Sequence, residues 1–278
     1  MNAEPVKIIL IAGKLKIPDR LGHHDYLAGC SLLAALLEQT AGIHTVTIPQ
    51  GWPEDESVFA GARAIVFYTS GGGKQAFLKS EQRLAHLQQL VDQRVGLVMI
   101  HQAVGVPRQF AKQMTSWLGG VHVRGESQEG HWRSRHEEFP AHPTTRGVAP
   151  WSIRDGWLNE IQFIDEMRGV TPLVWSGRKH RGSPTGGTSD VVTWAYERPA
   201  GGRSFCFTGL DAHTAWAEGG VRQLLVNGTL WAAGLPIPET GAACATEAKA
   251  LQANLTPRGS RARWVLDFVR RYMRRVIS

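Results

Sequence analysis

Over the first 120 residues, short apolar runs alternate with amphipathic stretches, and that alternation leaves few folds open. Residues 6–12 (VKIILIA), 44–48 (HTVTI), 63–69 (RAIVFYT) and 95–100 (VGLVMI) have the length and β-branched content of buried strands. Residues 25–40, 79–93 and 107–118 repeat their apolar positions with helical spacing. The resulting β-α-β-β-α-β-α order predicts a mostly parallel sheet with helices on both faces.

After Gly120 the chain becomes richer in Arg, Gly, Pro and Trp, with extended pieces near 130–135, 158–164 and 171–175. These read as an antiparallel extension of the sheet. Residues 190–198 and 203–210 form a strand pair around the turn sequence PAGG, and 220–234 a closing helix. A small-residue linker follows. The last segment is basic: residues 256–278 hold seven arginines against one aspartate, so they carry nearly all of the chain's net charge of +7. Trp264, Phe268, Tyr272 and Val276 recur every fourth residue there, which predicts an amphipathic helix. Its apolar stripe has three resting places: its own domain, a second subunit, or an anionic membrane surface.

The body is close to neutral and has no recognised nucleic-acid motif, so no nucleic-acid partner is expected. The cysteines, Cys30, Cys206 and Cys244, are odd in number and widely spaced, which supports neither a disulfide framework nor a zinc module. No stretch approaches the roughly 20 apolar residues of a membrane span, and the run at 6–12 is too short for a signal sequence. A cytoplasmic protein is the expectation.

In sheets of this kind ligands bind outside the carboxyl ends of the strands. That rule selects His23, His24 and Asp25 after the first strand, the loop SGGGK (70–74) after the third, His101 after the fourth, and Asp211 and His213 after the last. Any one of them has a plain reading as a helix cap, a solvated side chain or a satisfied core histidine. Their convergence on one rim is what those readings do not predict. SGGGK is not a Walker loop, because Lys74 is followed by Gln75; it reads as a loop beside a site. The later region adds His131, Trp132, Asp155 and Trp157, and Trp216 follows His213. Aromatic faces beside imidazoles and carboxylates suit sugar rings.

The stretches GHHDY (22–26), GWPEDESVF (51–59), ARAIVFY (62–68), IHQAVGVP (100–107), GHW (130–132), HPTTRGV (142–148), WAYERPAGGRSFCFTG (194–209) and NGTLWAAGLPIP (227–238) together resemble the ThuA-like (trehalose utilisation) family over about residues 5–238. The resemblance implies a flavodoxin-like, class I glutamine amidotransferase-like α/β fold. It divides the chain into a domain over 1–235, a linker over 236–257 and a basic amphipathic helix over 258–278. Amidotransferases of this fold carry a nucleophilic cysteine after the central strand; here His101 stands there, so cysteine-dependent glutaminase chemistry is not expected. Three departures from the family pattern stand out. Asp211 occupies a histidine position, and Gly156, after Asp155, replaces a glutamate; Leu158 replaces a tyrosine nearby.

The expected function is carbohydrate-directed acid/base chemistry on a disaccharide or keto-sugar, by hydrolysis, elimination or isomerisation. The alternative is a non-catalytic sugar-binding or assembly protein with an altered pocket. His101, His131, Asp155 and Asp211 are the candidate catalytic groups. His24, Asp25, Trp132, Trp157, His213 and Trp216 are the candidate contacts to a small carbohydrate ligand. Three histidines and an aspartate on one rim are also ligand types for a divalent metal, although no HxH or HExxH spacing enforces one.

Overall fold

The computed structural model describes residues 4–14, 22–177, 190–253 and 255. The first half follows the order expected from periodicity: β1 (Val6–Ala12), α1 (Tyr26–Leu37), β2 (Ile43–Ile48), β3 (Ala62–Tyr68), α2 (Glu81–Asp92), β4 (Gly96–Ile100), the short β5 (Gly105–Val106) and α3 (Arg108–Leu118). β6 (Gly120–Val123), β7 (Gln128–His136), β8 (Trp151–Asn159), β9 (Gln162–Phe163), β10 (Val170–Trp175), β11 (Val191–Glu197), β12 (Arg203–Phe207) and α4 (Gly219–Ala232) complete it.

Seven strands form one sheet in the order β10-β11-β12-β4-β3-β1-β2. β2, β1, β3, β4 and β12 are mutually parallel. β11 runs against β12 and β10 against β11, which is the antiparallel extension. The parallel strands are covered on both faces, so they read as continuous apolar runs: Ile8 through Ala12 and Ala64 through Phe67 are fully buried. α1 and α4 pack one face of the sheet through Leu33, Leu36, Leu224 and Leu225, and α2 and α3 the other through Leu87, Met114 and Leu118.

β7 and β8 form a separate nine-residue antiparallel pair, in which His131 lies opposite Gly156 and Trp132 opposite Asp155. β8 begins at Trp151, well before the extended piece expected near 158, because Asp155 and Gly156 interrupt the apolar pattern that would announce it. Residues 235–253 lie against the domain. Ile237 and Ala242 are buried, Gln223 and Asn227 of α4 bond to the backbone of Ala242, and Arg146 pairs with Glu239 at 2.7 Å. The expected basic helix at 258–278 lies outside the described residues. Among the described residues no helix is long and apolar enough to cross a membrane.

Candidate active site

Three chain segments meet at the carboxyl ends of the parallel strands. β4 ends at Ile100, which is paired in register with Phe207 at the end of β12. His101 and Thr208, the next residues along each strand, are therefore neighbours, and the His101 ring donates from Nδ1–H to the Thr208 carbonyl at 2.9 Å. The segment after β1 comes back to the same rim through an isolated antiparallel bridge between His23 and Ala212. The backbone N–H of His24 donates to Asp211 O at 2.9 Å, and that of His213 to Gly22 O at 2.7 Å.

The Asp211 carboxylate, with a side chain 6% exposed, is the hub of the site. Its Oδ1 takes the His24 Nε2 at 2.7 Å, and the His101 Nε2 lies 3.5 Å away. Its Oδ2 takes the His131 Nε2 at 2.8 Å and the His23 Nδ1 at 3.2 Å. An ionised carboxylate only accepts, so these imidazole nitrogens face it as donors. The His24 and His101 Nε2 atoms are 3.2 Å apart and the rings are stacked.

Burial by itself would raise the Asp211 pKa, but the hydrogen bonds and charge of the surrounding histidines hold it far below the usual carboxylate range. The converse holds for His101. Burial disfavours its charged form, yet the hydrogen bond and charge of Asp211 outweigh burial and leave its pKa above the ordinary histidine value. With Nδ1–H committed to Thr208, the Nε2 of His101 is the position at which a proton is gained or lost.

Asp155 serves a different end. It is 2% exposed, and its carboxylate accepts backbone N–H bonds from Leu210 (2.6 Å), Ala212 (3.0 Å) and Gly156 (2.9 Å), so it fixes the loop that carries Asp211. Burial dominates there and raises its pKa despite the nearby His101 charge and those bonds. Tyr68 donates its buried hydroxyl to the Leu210 carbonyl on the same loop. Gly156 and Asp211 are packed against each other. A Cβ at position 156 would stand 2.7 Å from the Asp211 Cβ, so the missing side chain at Gly156 is what admits Asp211 to its place. The backbone is strained at the same spot: His24, His101 and Leu210 have φ of 50°, 54° and 70°. Such conformations cost non-glycine residues about 1–3 kcal/mol each and persist where the surroundings over-determine them.

Of the residues singled out in the sequence, the structure brings together His24, His101, His131 and Asp211, with Asp155 directly behind. His23, noted on the rim but not carried into the candidate set, also reaches Asp211; its adjacency to His24 was the available signal. His213 is turned away, its Nε2 bonded to Leu251 O at 2.9 Å. Asp25 is fully buried and caps α1 by accepting from Ala28 N at 3.4 Å. Trp157 and Trp216 are buried in the core, and Trp132 is half-buried with its indole N–H donating to Ser176 O.

His24, His101 and Asp211 each offer one ligand atom within 4.8 Å of the others, with donor types that fit a divalent metal ion.

A family model described as trehalose utilisation, that of ThuA, matches residues 16–232. The chain belongs to the ThuA family. Membership places it in sugar metabolism. Two solved structures share the fold: a ThuA-like protein from Parabacteroides merdae, 16% identical, with a TM-score of 0.58 over 90% of this chain and 100% of that one; and a ThuA-like protein from Bacteroides uniformis, 14% identical, with a TM-score of 0.57 over 84% and 93%. No curated protein matches the chain by sequence. The Asp211 cluster thus lies on the strand-end rim of a ThuA fold, where ligands of open α/β sheets bind.

Proposed function

We propose that this ThuA-family protein is an enzyme of sugar catabolism that moves protons on a disaccharide or its keto form, by hydrolysis, elimination or isomerisation. The observation that carries the reading is the Asp211 carboxylate ringed by imidazoles, with His24 and His131 reaching it from side chains 42% and 60% exposed. A buried carboxylate holding partly exposed imidazoles supplies both halves of acid/base chemistry. In the charged form, His101 donates its Nε2 proton to a leaving oxygen or a developing oxyanion. In the neutral form, the same nitrogen takes a proton from the carbon beside a sugar carbonyl. Asp211 steadies the imidazolium, and Asp155 holds Asp211 in place. His131, from the β7–β8 pair, is the second acid/base group. A divalent ion held by His24, His101 and Asp211 would supply Lewis-acid polarisation of a sugar oxygen.

The test is turnover by the full chain of trehalose, sucrose and their 3-keto forms, with and without added zinc or manganese, beside the Asp211→Asn variant. Consumption of at least one sugar, lost in the variant while it still folds cooperatively, is the expected result. If the wild-type chain binds these sugars and consumes none under any of these conditions, the catalytic reading fails and a sugar-binding role takes its place.

A further inference from the structure

A cavity of about 200 Å³ is lined by chain neighbours of the Asp211 cluster and takes no part in the chemistry above. Its walls are continuous with the site: Gln102 follows His101, Glu129 lies two residues before His131 on β7, and Leu158 two residues after Gly156 on β8. We propose that this cavity is the subsite for an anionic group, a carboxylate or a phosphate ester, carried by the sugar whose other end reaches His101. The proposal rests on the catalytic reading for the identity of the ligand as a sugar, and on its own residues for the charge.

Three observations carry it. First, Lys74 and Arg124 line the cavity, and neither side chain has an ion-pair or hydrogen-bond partner among the described residues. They share a wall, since the Arg124 Cδ stands 3.7 Å from where a Cβ of Gly72 would be. Against them the lining holds one carboxylate, Glu129, so the cavity has a surplus of one positive charge, the complement of one acidic substituent.

Second, His122 is 7% exposed and its Nε2 is buried without a hydrogen-bond partner. Buried polar atoms are nearly always satisfied, so one left open on the wall of a cavity is a position that a ligand atom can fill. Burial holds this imidazole pKa below the ordinary value, so it meets a ligand as a neutral group.

Third, the glycine loop beside the cavity is shaped to leave room but not to bind through its own amides. A Cβ on Gly71 would stand 2.0 Å from the Gln102 carbonyl oxygen, so only glycine fits. The Gly72 N–H is already given to Gly105 O at 2.8 Å, and the Gly73 N–H to Gln75 Oε1 at 3.1 Å. Recognition of an anion therefore falls to the side chains of Lys74 and Arg124, with Gln102 and His122 beside them.

Calorimetric titration of the full-length chain with glucose, glucuronate and glucose 6-phosphate tests this, in wild type, Lys74→Gln, Arg124→Gln and the charge-keeping Arg124→Lys. At least one anionic sugar is expected to bind tenfold or more tightly than glucose. That preference should weaken with added salt, fall about tenfold in Lys74→Gln and Arg124→Gln, and survive in Arg124→Lys. Which of the two anions is preferred decides between carboxylate and phosphate. Equal affinity for neutral and anionic sugars, a preference untouched by the neutral variants, or no binding of either anion overturns the subsite. Because these variants leave His101 and Asp211 intact, an anion preference without turnover of any sugar would sink the catalytic reading and leave the subsite standing; turnover of neutral sugars without the preference would do the reverse.

Discussion

Two histidines of this chain are buried to nearly the same degree and sit in opposite electrostatic states. His101, on the strand-end rim, is 3% exposed; His136, on the inner side of the β7–β8 pair, is 6% exposed. The His136 ring packs on Trp151 with centroids 3.9 Å apart, and its Nε2–H donates to Ser134 Oγ, whose hydroxyl in turn donates a hydrogen bond to the Ser176 carbonyl. Among the described residues no carboxylate answers it, and burial lowers its pKa to about 4. His101 is desolvated as well, but Asp211 lies beside it and the direction reverses. Burial alone makes a neutral packing histidine; burial against a fixed carboxylate makes one that can work with protons.

The largest effect that would break this comparison is on catalysis. His101→Ala should lower turnover of the responsive sugar by about 10²–10⁴-fold, the usual worth of a positioned acid/base group, measured per folded molecule. His136→Ala should do the opposite, lowering stability while the remaining folded protein keeps its kcat. If the two variants behave alike in turnover, the division between the two regions is wrong.

Next in size is acid sensitivity. An unfolded histidine takes its proton near pH 6.5, whereas native His136 does so only near pH 4. Across that window the unfolded chain binds more protons, so native stability drops as pH falls, by about 2–3 kcal/mol at pH 4.5. Asp211 acts at lower pH: its lowered native pKa contributes stability that is kept down to about the unfolded aspartate value, roughly pH 4, and is lost only below it. His101, with a raised pKa, contributes stability below pH 6.5 that fades as pH rises through its native value. Denaturant unfolding at pH 7 and pH 4.5 of wild type and His136→Phe separates these. The phenylalanine variant should lose less stability on acidification by about the His136 share, and an unchanged acid loss would show that His136 does not carry the sensitivity.

Asp155→Asn should cost about 1–3 kcal/mol, because an amide nitrogen would face backbone N–H groups that now share a carboxylate. It should also lower kcat more than it raises KM, since the loop it releases carries Asp211 and does not hold the sugar. A KM effect without a kcat effect would remove its positioning role.

Smallest is Gly156→Ala. The added methyl meets Asp211 at 2.7 Å, and relief by a small shift of the loop should cost about 1–2 kcal/mol. The shift moves the carboxylate away from the imidazoles, so the pH profile of turnover should change along with the stability. A variant as stable and as active as wild type would show that the cleft at Gly156 is not what seats Asp211.

Much of the architecture was legible before any coordinates. Buried parallel strands must be apolar along their whole length and helices on one face must repeat every three to four residues, so the β-α-β order could be read directly from residues 6–118. Knowing that order, the strand-end rule already put His24, His101 and Asp211 on one rim. What periodicity and the strand-end rule could not supply was which side chains turn toward one another there. His213 and His131 were both candidates; only the bridge at Ala212 and the register of β7 on β8 turn the first toward Leu251 and bring the second, opposite Gly156, onto Asp211. The tryptophans are a similar case: an aromatic beside a polar residue in the chain reads alike whether it faces a ligand or, as with Trp157 and Trp216, the core. Direction of this kind depends on contacts between residues tens of positions apart, such as Asp155 with Leu210 and Gly156 with Asp211. A local pattern holds the period of its own segment and nothing of its partner. The residues of the candidate site were therefore written in the sequence, while their charge states arose only when folding set them at bonding distance.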